Sequence, residues 1–409
     1  MSSYTVRAGD TFESIARKQY GSEQYASTIS KANPGAAEPL TAGTVLAVPP
    51  RPGAPTDKKG QAPSSGANEV AVLINGTRFR FWSDLRLTRS LDGMDTIEFS
   101  APFDADAPGF REVFRPFSYA PLVVTVGGDV LFTGTMIGVT PNLSDRQKTI
   151  SVSAYSVPGV LNDCTPPASA YPVEFNDLAL PEIAAALADP FGVAVSFTGP
   201  AGSAFERVAV DPGDTVLAFL SDLARQRSLV VSSTPSGELL FQQSVSAGQP
   251  VAVLQQGASP VLGVQPSFSP QQYYSHVTGL ESVYLGTEGS QYTVKNPHLA
   301  GIVRPLTFKS PDVLGGDIQQ AVAAKVGRMY GNMASYSVQV DTWRDKDGKL
   351  WEPNTTVKLR APGAMIYEPY EFIVRSVSFE RSGAKEAAEL DLVLPGSFSG
   401  TTPEALPWD

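Results

Sequence analysis

From Glu69 onward the chain alternates apolar and polar residues in short runs bounded by turn residues, the pattern of antiparallel sheet. "VAVLING", "TRFRFWSDLRLTRSLDGMDTIEFSAP" and "PLVVTVGGDVLFTGTMIGVTPNLSDRQKTISVSAYS" all read this way. Gly127-Gly128 predicts a hairpin turn and Pro141–Arg146 a longer one. Between about 170 and 245 the period changes. "DLALPEIAAALADPFG" predicts a helix ending near Pro190. "DTVLAFLSDLARQRS" predicts another, with Asp214 as N-cap and Val216, Phe219, Leu220 and Leu223 on one face. "LVVSSTPSGELLFQQ" then reads as a hairpin turning at Ser236-Gly237, and from 250 sheet resumes, interrupted by a helix over Gly316–Met329.

The first 50 residues have a different texture. Tyr4–Arg7 reads as a strand. Asp10 and Glu13 make an Asp-x-x-Glu capping box with Asp10 as N-cap, and Phe12, Ile15 and Ala16 give one apolar helical face up to Gly21. A second helix covers about Gln24–Ala32, Asn33-Pro34-Gly35 stops it, and Thr44–Val48 is a second strand. Residues 51–68, rich in Pro, Gly, Ser and Ala, read as a flexible to semi-extended linker. The expected division is therefore 1–50, linker 51–68, a first β domain 69–168, an α/β insertion 169–248, a second β domain 249–395 with a helical insertion, and a C-terminal tail 396–409. Residues 120–154 and 354–394 share a strand–turn–bent strand–turn–strand pattern. In this internal repeat Val124 and Val126 answer Val357 and Leu359, and Met136, Ile137 and Val139 answer Ile373, Val374 and Val377. The fold class expected is mainly β with α+β insertions.

Composition narrows the function. A chain of 409 residues with 42% hydrophobic and 18% charged residues is folded and multidomain. Its formal net charge of −10 argues against a general nucleic-acid binder, whose affinity comes from neutralising phosphates, yet suits a channel through which nucleic acid slides. Cys164, the only cysteine, excludes an internal disulfide; the N-terminus has no secretory pattern, and no run reaches the length of a membrane span. His276 and His298 lack His or Cys neighbours at metal-ligand spacing, so structural roles are expected and no metal or cofactor is implied. "GSFSG" (396–400) carries Phe398 where a nucleophile elbow needs Ser, and "DKDGKLWE" is a hairpin turn at Asp347-Gly348, not a calcium loop. "RFRFW" (78–82) interleaves Arg and aromatics as single-strand binders do, but reads better as a strand with Phe79 and Phe81 on one side and Arg78, Arg80 and Trp82 on the other. No catalytic set can be named, and a non-enzymatic role is expected.

"YTVRAGDTFESIARKQYGSEQYASTISKANPGAAEPLTAGTVLAVPP" resembles a LysM domain through Val6, Gly9-Asp10-Thr11, Ile15-Ala16, Tyr20-Gly21, Ile29, Asn33-Pro34, Leu40, Gly43-Thr44 and the Leu46/Val48/Pro49 strand. That resemblance implies a groove between Gly9–Phe12 and Asn33–Pro39, with Gly9, Asp10, Thr11, Phe12, Asn33 and Pro34 as candidate contacts to a peptidoglycan-type glycan or to a protein partner. The remainder resembles the baseplate hub proteins of contractile phage tails, the Mu-type, late-control gpD-like family. The residues that carry this likeness are "SAYSVPGVLNDCTPP" (153–167), "HLAGIVRPLTFKSPDV" (298–313) and "VDTWRDKDGKLWEPNTTVKLRAP" (340–362). It implies two similar β-barrel tube-like domains separated by the α/β region, in a homotrimer. The implied partners are the tail tube protein, the central spike protein, baseplate wedge or sheath-initiator proteins and a tape-measure protein in the lumen, with no specific nucleic-acid binding. The implied location is the virion tail baseplate, assembled in the host cytoplasm. A fused LysM unit departs from that pattern. The competing readings are a LysM-targeted peptidoglycan-binding tail protein aiding cell-wall penetration, and an adhesin-like β-protein, which would need an export signal.

Overall fold

The computed structural model describes residues 2–7, 9–20, 26–36, 38–48, 68–104, 106, 108–144, 148–246, 248–280, 290–309 and 318–409. Of the expected linker, only Asn68 falls among them. Its side chain donates to Glu386 Oε2 and accepts from Arg344 Nε, both at 2.8 Å.

The N-terminal unit runs β1 (Ser2–Thr5), α1 (Phe12–Tyr20), α2 (Ala26–Ala32) and β2 (Val45–Val48), with β1 and β2 antiparallel. The apolar face read from the sequence is its core: Phe12, Ile15, Ala16 and Ile29 are buried against Val6, Leu46 and Val48. The expected helix end at Gly21 lies outside the described residues.

The next strands are β3 (Val70–Ile74), β4 (Thr77–Phe79), β5 (Asp84–Ser90) and β6 (Thr96–Pro102); after the short helix α3 (Pro108–Val113) come β7 (Pro121–Val126), β8 (Asp129–Leu143) and β9 (Lys148–Ser156). A helix-bearing unit follows: α4 (Val160–Asp163), β10 (Glu174–Leu178), α5 (Leu180–Ala188), β11 (Val195–Thr198), β12 (Phe205–Ala209), α6 (Val216–Arg225), β13 (Val230–Ser233) and β14 (Leu239–Gln242). It has its own apolar cluster, from Leu161 to Phe241, in which Val216, Phe219, Leu220 and Leu223 of α6 are buried as the helical period predicted. The last segment comprises β15 (Ala252–Gln255), β16 (Val261–Phe268), β17 (His276–Leu280), β18 (Gln291–Lys295), β19 (Pro305–Lys309), α7 (Ile318–Met333), β20 (Ala334–Val340), β21 (Thr356–Ala361), β22 (Ile366–Ser382) and β23 (Lys385–Val393).

The main correction concerns the two expected barrels. No closed barrel is present among the described residues. Instead, both β segments join one 13-stranded sheet ordered β16-β20-β23-β22-β5-β6-β9-β8-β7-β3-β4, with β15 and β21 alongside β22. The seam between the halves is β5 against β22, antiparallel from Ser90↔Ser376 to Asp84↔Ser382. One apolar core accordingly runs through both halves, from Val70 to Leu406.

Within that sheet the internal repeat takes a definite register. β7-β8-β9-β6-β5 and β21-β22-β23-β20-β16 are the same sequence of antiparallel neighbours. Each long strand bulges at one residue, Ile137 in β8 and Arg375 in β22. A bulge inserts one extra residue into one strand and so marks register. Aligning the two bulges matches Met136 with Val374 and Val139 with Val377. Through Leu122↔Gly134 and Val357↔Phe372, Leu122 then matches Val357 and Val124 matches Leu359. The pairing of Val139 with Val377 holds, that of Met136 and Ile137 with Ile373 and Val374 is one residue out, and that of Val124 and Val126 with Val357 and Leu359 is two residues out of step. A two-residue slip keeps every side chain on its face, so alternation alone does not detect it.

Local corrections have local causes. Both Asp-Thr helix starts are capped by Thr. Thr11 Oγ1 accepts from Ser14 N at 3.2 Å and Thr215 Oγ1 from Ala218 N at 3.3 Å. Asp10 is drawn away by Tyr4 Oη, Arg7 N and Lys18 Nζ, each at 2.8 Å. In "RFRFW" the strand ends at Phe79, which packs on Phe99, Phe110 and Phe114, while Phe81 is 68% exposed. The C-terminal tail is a packed strap. Gly327 and Gly331 of α7 form a notch in which an added Cβ would lie 2.8 Å from Gly396 O and 2.9 Å from Ser397 Cβ. Tyr370 Oη donates to Ala405 O at 2.8 Å, and Trp408 meets Phe268 edge-on.

Candidate functional surfaces

The shared sheet has two chemically distinct faces. Successive strand residues point to opposite sides, so register assigns each side chain to one face. The buried face carries Leu85, Leu87, Ile97, Phe99, Val152, Val377, Phe379, Leu390 and Val338. The other is polar across the central strands. One row reads Ser153, Glu98, Arg86 and Glu380, and a second reads Gln265, Ser337, Asp391 and Ser376. Between β5, β6, β8, β9 and β22 this face forms an open hollow of about 500 Å³ lined by Asp84, Arg86, Glu98, Ser100, Ser151 and Glu380.

Arg86 ion-pairs with Glu380 at 2.8 Å and Glu389 at 3.0 Å, and Glu389 also accepts from Ser337 Oγ at 2.6 Å. Asp84 is held below the ordinary carboxylate range by hydrogen bonds from Ser382 and Ser83. Asp391 is pushed upward by burial, against the pull of Arg375. With Asp84, Glu98, Glu380 and Glu389 around Arg86, and Asp391 further along the same side, the face is hydroxyl-rich and net acidic. Such a surface offers few cations to grip a phosphate backbone.

The sequence-derived groove residues divide by burial. Phe12 N donates to Glu38 Oε1 at 2.7 Å, which ties the loop before α1 to the loop after α2. Asp10 and Phe12 are buried. Asp10 is bracketed as above, and the Lys18 contact, foremost among several, holds its carboxyl well below the usual range. Asn33 is a clamp, with Nδ2 donating to Ile29 O and Ala47 O and Oδ1 accepting from Ala47 N at 2.7–2.8 Å. Gly9, Thr11 and Pro34 remain exposed on these loops.

The groups considered for catalysis lie apart. His276 Nδ1 meets Ser275 Oγ at 2.9 Å, and His298 Nε2 meets Pro403 O at 2.8 Å. Cys164 is half-buried at the end of α4. Among the described residues no group of His, Cys, Asp and Glu could hold a metal ion, and no helix is long and apolar enough to cross a membrane. Trp343, Asp347-Gly348 and Trp351 form the expected hairpin. Gly348 N donates to Asp345 O, and Trp351 N to Trp343 O at 3.0 Å.

A mainly β sheet of this topology, interrupted by one helix-bearing unit, is the fold of phage tail proteins. The 43 kDa tail protein of prophage MuSo2 from Shewanella oneidensis superposes with a TM-score of 0.69 at 24% identity, covering 81% of this chain and 99% of that one. The tail protein from Neisseria meningitidis MC58 superposes with a TM-score of 0.68 at 20% identity, covering 81% and 98%. Residues 158–243, the helix-bearing unit, match the family described as baseplate hub protein gp44-like, second domain. The chain is also 22% identical over 342 residues to the baseplate hub protein gp44 of Escherichia phage Mu, spanning 79% of this chain and 88% of that protein. By sequence, then, the chain is similar to the gp44-like baseplate hubs.

Proposed function

We propose that the protein is a structural, non-catalytic baseplate hub that assembles as a homotrimeric ring between a six-fold tail tube and a three-fold central spike. The observation that carries this reading is the duplicated strand order of the two half-sheets. Three chains with two near-equivalent halves each supply six similar units, which is the geometry needed to join those two symmetries. The similarity to the gp44-like hubs supports the same role. In this reading the acidic, hydroxyl-rich face lines the lumen, through which DNA or a tape-measure protein slides. The expected result is a trimer mass for the purified chain in light scattering or native mass spectrometry, with a central hole in negative-stain averages. A strict monomer in the presence of its tube and spike partners would overturn the proposal.

We further propose that the N-terminal unit, read as LysM, acts as a tethered fitting to wedge or sheath-initiator proteins. Two of its candidate groove side chains, Asp10 and Asn33, are occupied by internal hydrogen bonds, which favours a structural use of those residues over glycan contact. Deleting residues 1–68 should leave the trimer intact and impair baseplate assembly. Loss of peptidoglycan pull-down with assembly unaffected would instead make the unit a sugar module.

A further inference from the structure

We infer that β16 of one copy seats against the outer half of β8 of a second copy, in a register dictated by the internal repeat. The inference rests on the trimeric hub reading and names the contact that closes the ring.

The chain already contains one such contact, the β5/β22 seam. The two bulges make Ser376–Arg381 of β22 equivalent to Gly138–Leu143 of β8. The pairings through β23/β20 and β9/β6 make Leu85–Arg89 of β5 equivalent to Val264–Phe268 of β16. In β22 the segment beyond the bulge is covered by β5. Its counterpart in β8 pairs with β9 on one side and with no strand among the described residues on the other, and β16 ends the sheet. Each half thus presents one of the two edges that the internal seam joins.

The chemistry of the two free edges suits the same register on both faces, with apolar or neutral residues where the internal seam carries arginines and a glutamate. On the core side, Val139 would meet Phe268 and Leu143 would meet Val264, apolar pairs at the places where the internal seam sets Val377 against Arg89 and Arg381 against Leu85. Leu143 is 64% exposed and Phe268 42% in the single chain, and this pairing would cover both. On the polar side, Thr140 would face Ser267 and Asn142 would face Gln265, all neutral, so the polar face continues across the seam without a buried charge.

Both edges carry a proline at the same point. Within the chain, Leu91 N donates to Arg375 O and Gly383 N to Ser83 O, so Leu87 and Phe379 fall on a hydrogen-bonded pair. Their equivalents are Pro266 and Pro141. Ser269 N donates to Met333 O, which turns residues 264, 266 and 268 away from β20; Ser156 N to Asp95 O likewise leaves 139, 141 and 143 facing away from β9. The intersubunit seam therefore lacks both donors at its centre and keeps hydrogen-bonded pairs only at Val139/Phe268 and Leu143/Val264. Prolines at outward positions discourage indiscriminate edge pairing. The seam then depends on apolar packing, which a correctly registered second copy supplies.

The register is testable by disulfide trapping. Asn142 and Gln265 would form a directly opposed, non-hydrogen-bonded pair with Cα atoms about 4.5 Å apart, a separation a disulfide can bridge. In a Cys164→Ser background, the full chain with Asn142→Cys and Gln265→Cys should give covalent dimers and trimers on mild oxidation, reversed by reductant. The off-register pair Thr140→Cys with Gln265→Cys should give several-fold less. A chain that is trimeric by mass yet forms no such disulfide, or cross-links equally in both pairs, overturns the seam and leaves the hub reading standing. A chain that is not trimeric overturns both. As a second measurement, Leu143→Glu should convert trimers to monomers without changing the far-UV circular dichroism, and a trimer that persists at unchanged concentration dependence counts against the seam.

Discussion

Replacing Trp343 by alanine should lower the unfolding free energy of the sheet by about 3–5 kcal/mol, the range for deleting a buried Phe or Trp. The ring is fully buried and meets Phe379 edge-on at 5.5 Å, on the strand that joins the two halves. Its Nε1 donates to Ala387 O at 2.8 Å and to Glu380 O at 3.2 Å. Those two residues face each other across β22 and β23, so one indole pins the hairpin that opens β21 onto the β22/β23 pair. Trp343→Phe keeps most of the volume but removes the donor, and a smaller loss, about 1–3 kcal/mol, is expected for leaving buried acceptors less well satisfied. Urea unfolding followed by circular dichroism reads both. An unchanged midpoint in Trp343→Ala would mean that the hairpin is not part of the cooperative core.

Asp95 should make stability fall as pH rises from about 4 to 7. The residue lies where the β5–β6 turn meets the helix-bearing unit, its backbone N donating to Ser233 Oγ at 3.1 Å and its Oδ1 accepting from Ser90 N at 3.1 Å. Arg89 Nε stands 3.4 Å from Oδ2. Burial nevertheless dominates and pushes the carboxyl up to about 6, with Arg89, Ser90 and Ser233 only partly offsetting it. The folded chain therefore holds this proton at pH values where the unfolded chain, with an ordinary carboxyl near 3.9, has released it. The stabilisation is fully present below the unfolded value and is lost as pH rises through the folded one, a change on the order of 2–3 kcal/mol. Asp95→Asn cannot titrate, so the difference in unfolding free energy between wild type and Asp95→Asn should shift by that amount between pH 4 and 7. A difference that stays constant over this range would refute the assignment.

Much of the architecture was legible without coordinates. Alternation placed the strands, and Gly127-Gly128, Ser236-Gly237 and Asp347-Gly348 marked turns the structure contains. The helical period of Val216, Phe219, Leu220 and Leu223 predicted the buried side of α6. The repeat was visible as pattern, although not in register. The polar face was half legible: the alternating Ser, Thr and Glu of "TIEFSAP" and "SVSFERS" announce an exposed side, yet nothing local says that those sides are one surface.

What the sequence by itself determined is therefore local. Periodicity and turn chemistry settle element types and the order βααβ at the N-terminus, because each depends on neighbours a few residues away. Tertiary structure decided where long-range partners compete. Asp10 was lost as a helix cap to Lys18, Tyr4 and the Arg7 backbone, leaving Thr11 to cap α1. The "GSFSG" tail became a strap because Gly327 and Gly331 open a notch along α7 that its own pattern does not announce. Above all, β5 meets β22 across nearly 300 residues, merging two expected barrels into one sheet. Strand edges carry the same backbone groups whatever the sequence, so which edge pairs with which depends on the shape and apolar match of whole half-sheets, and that exists only once they are folded.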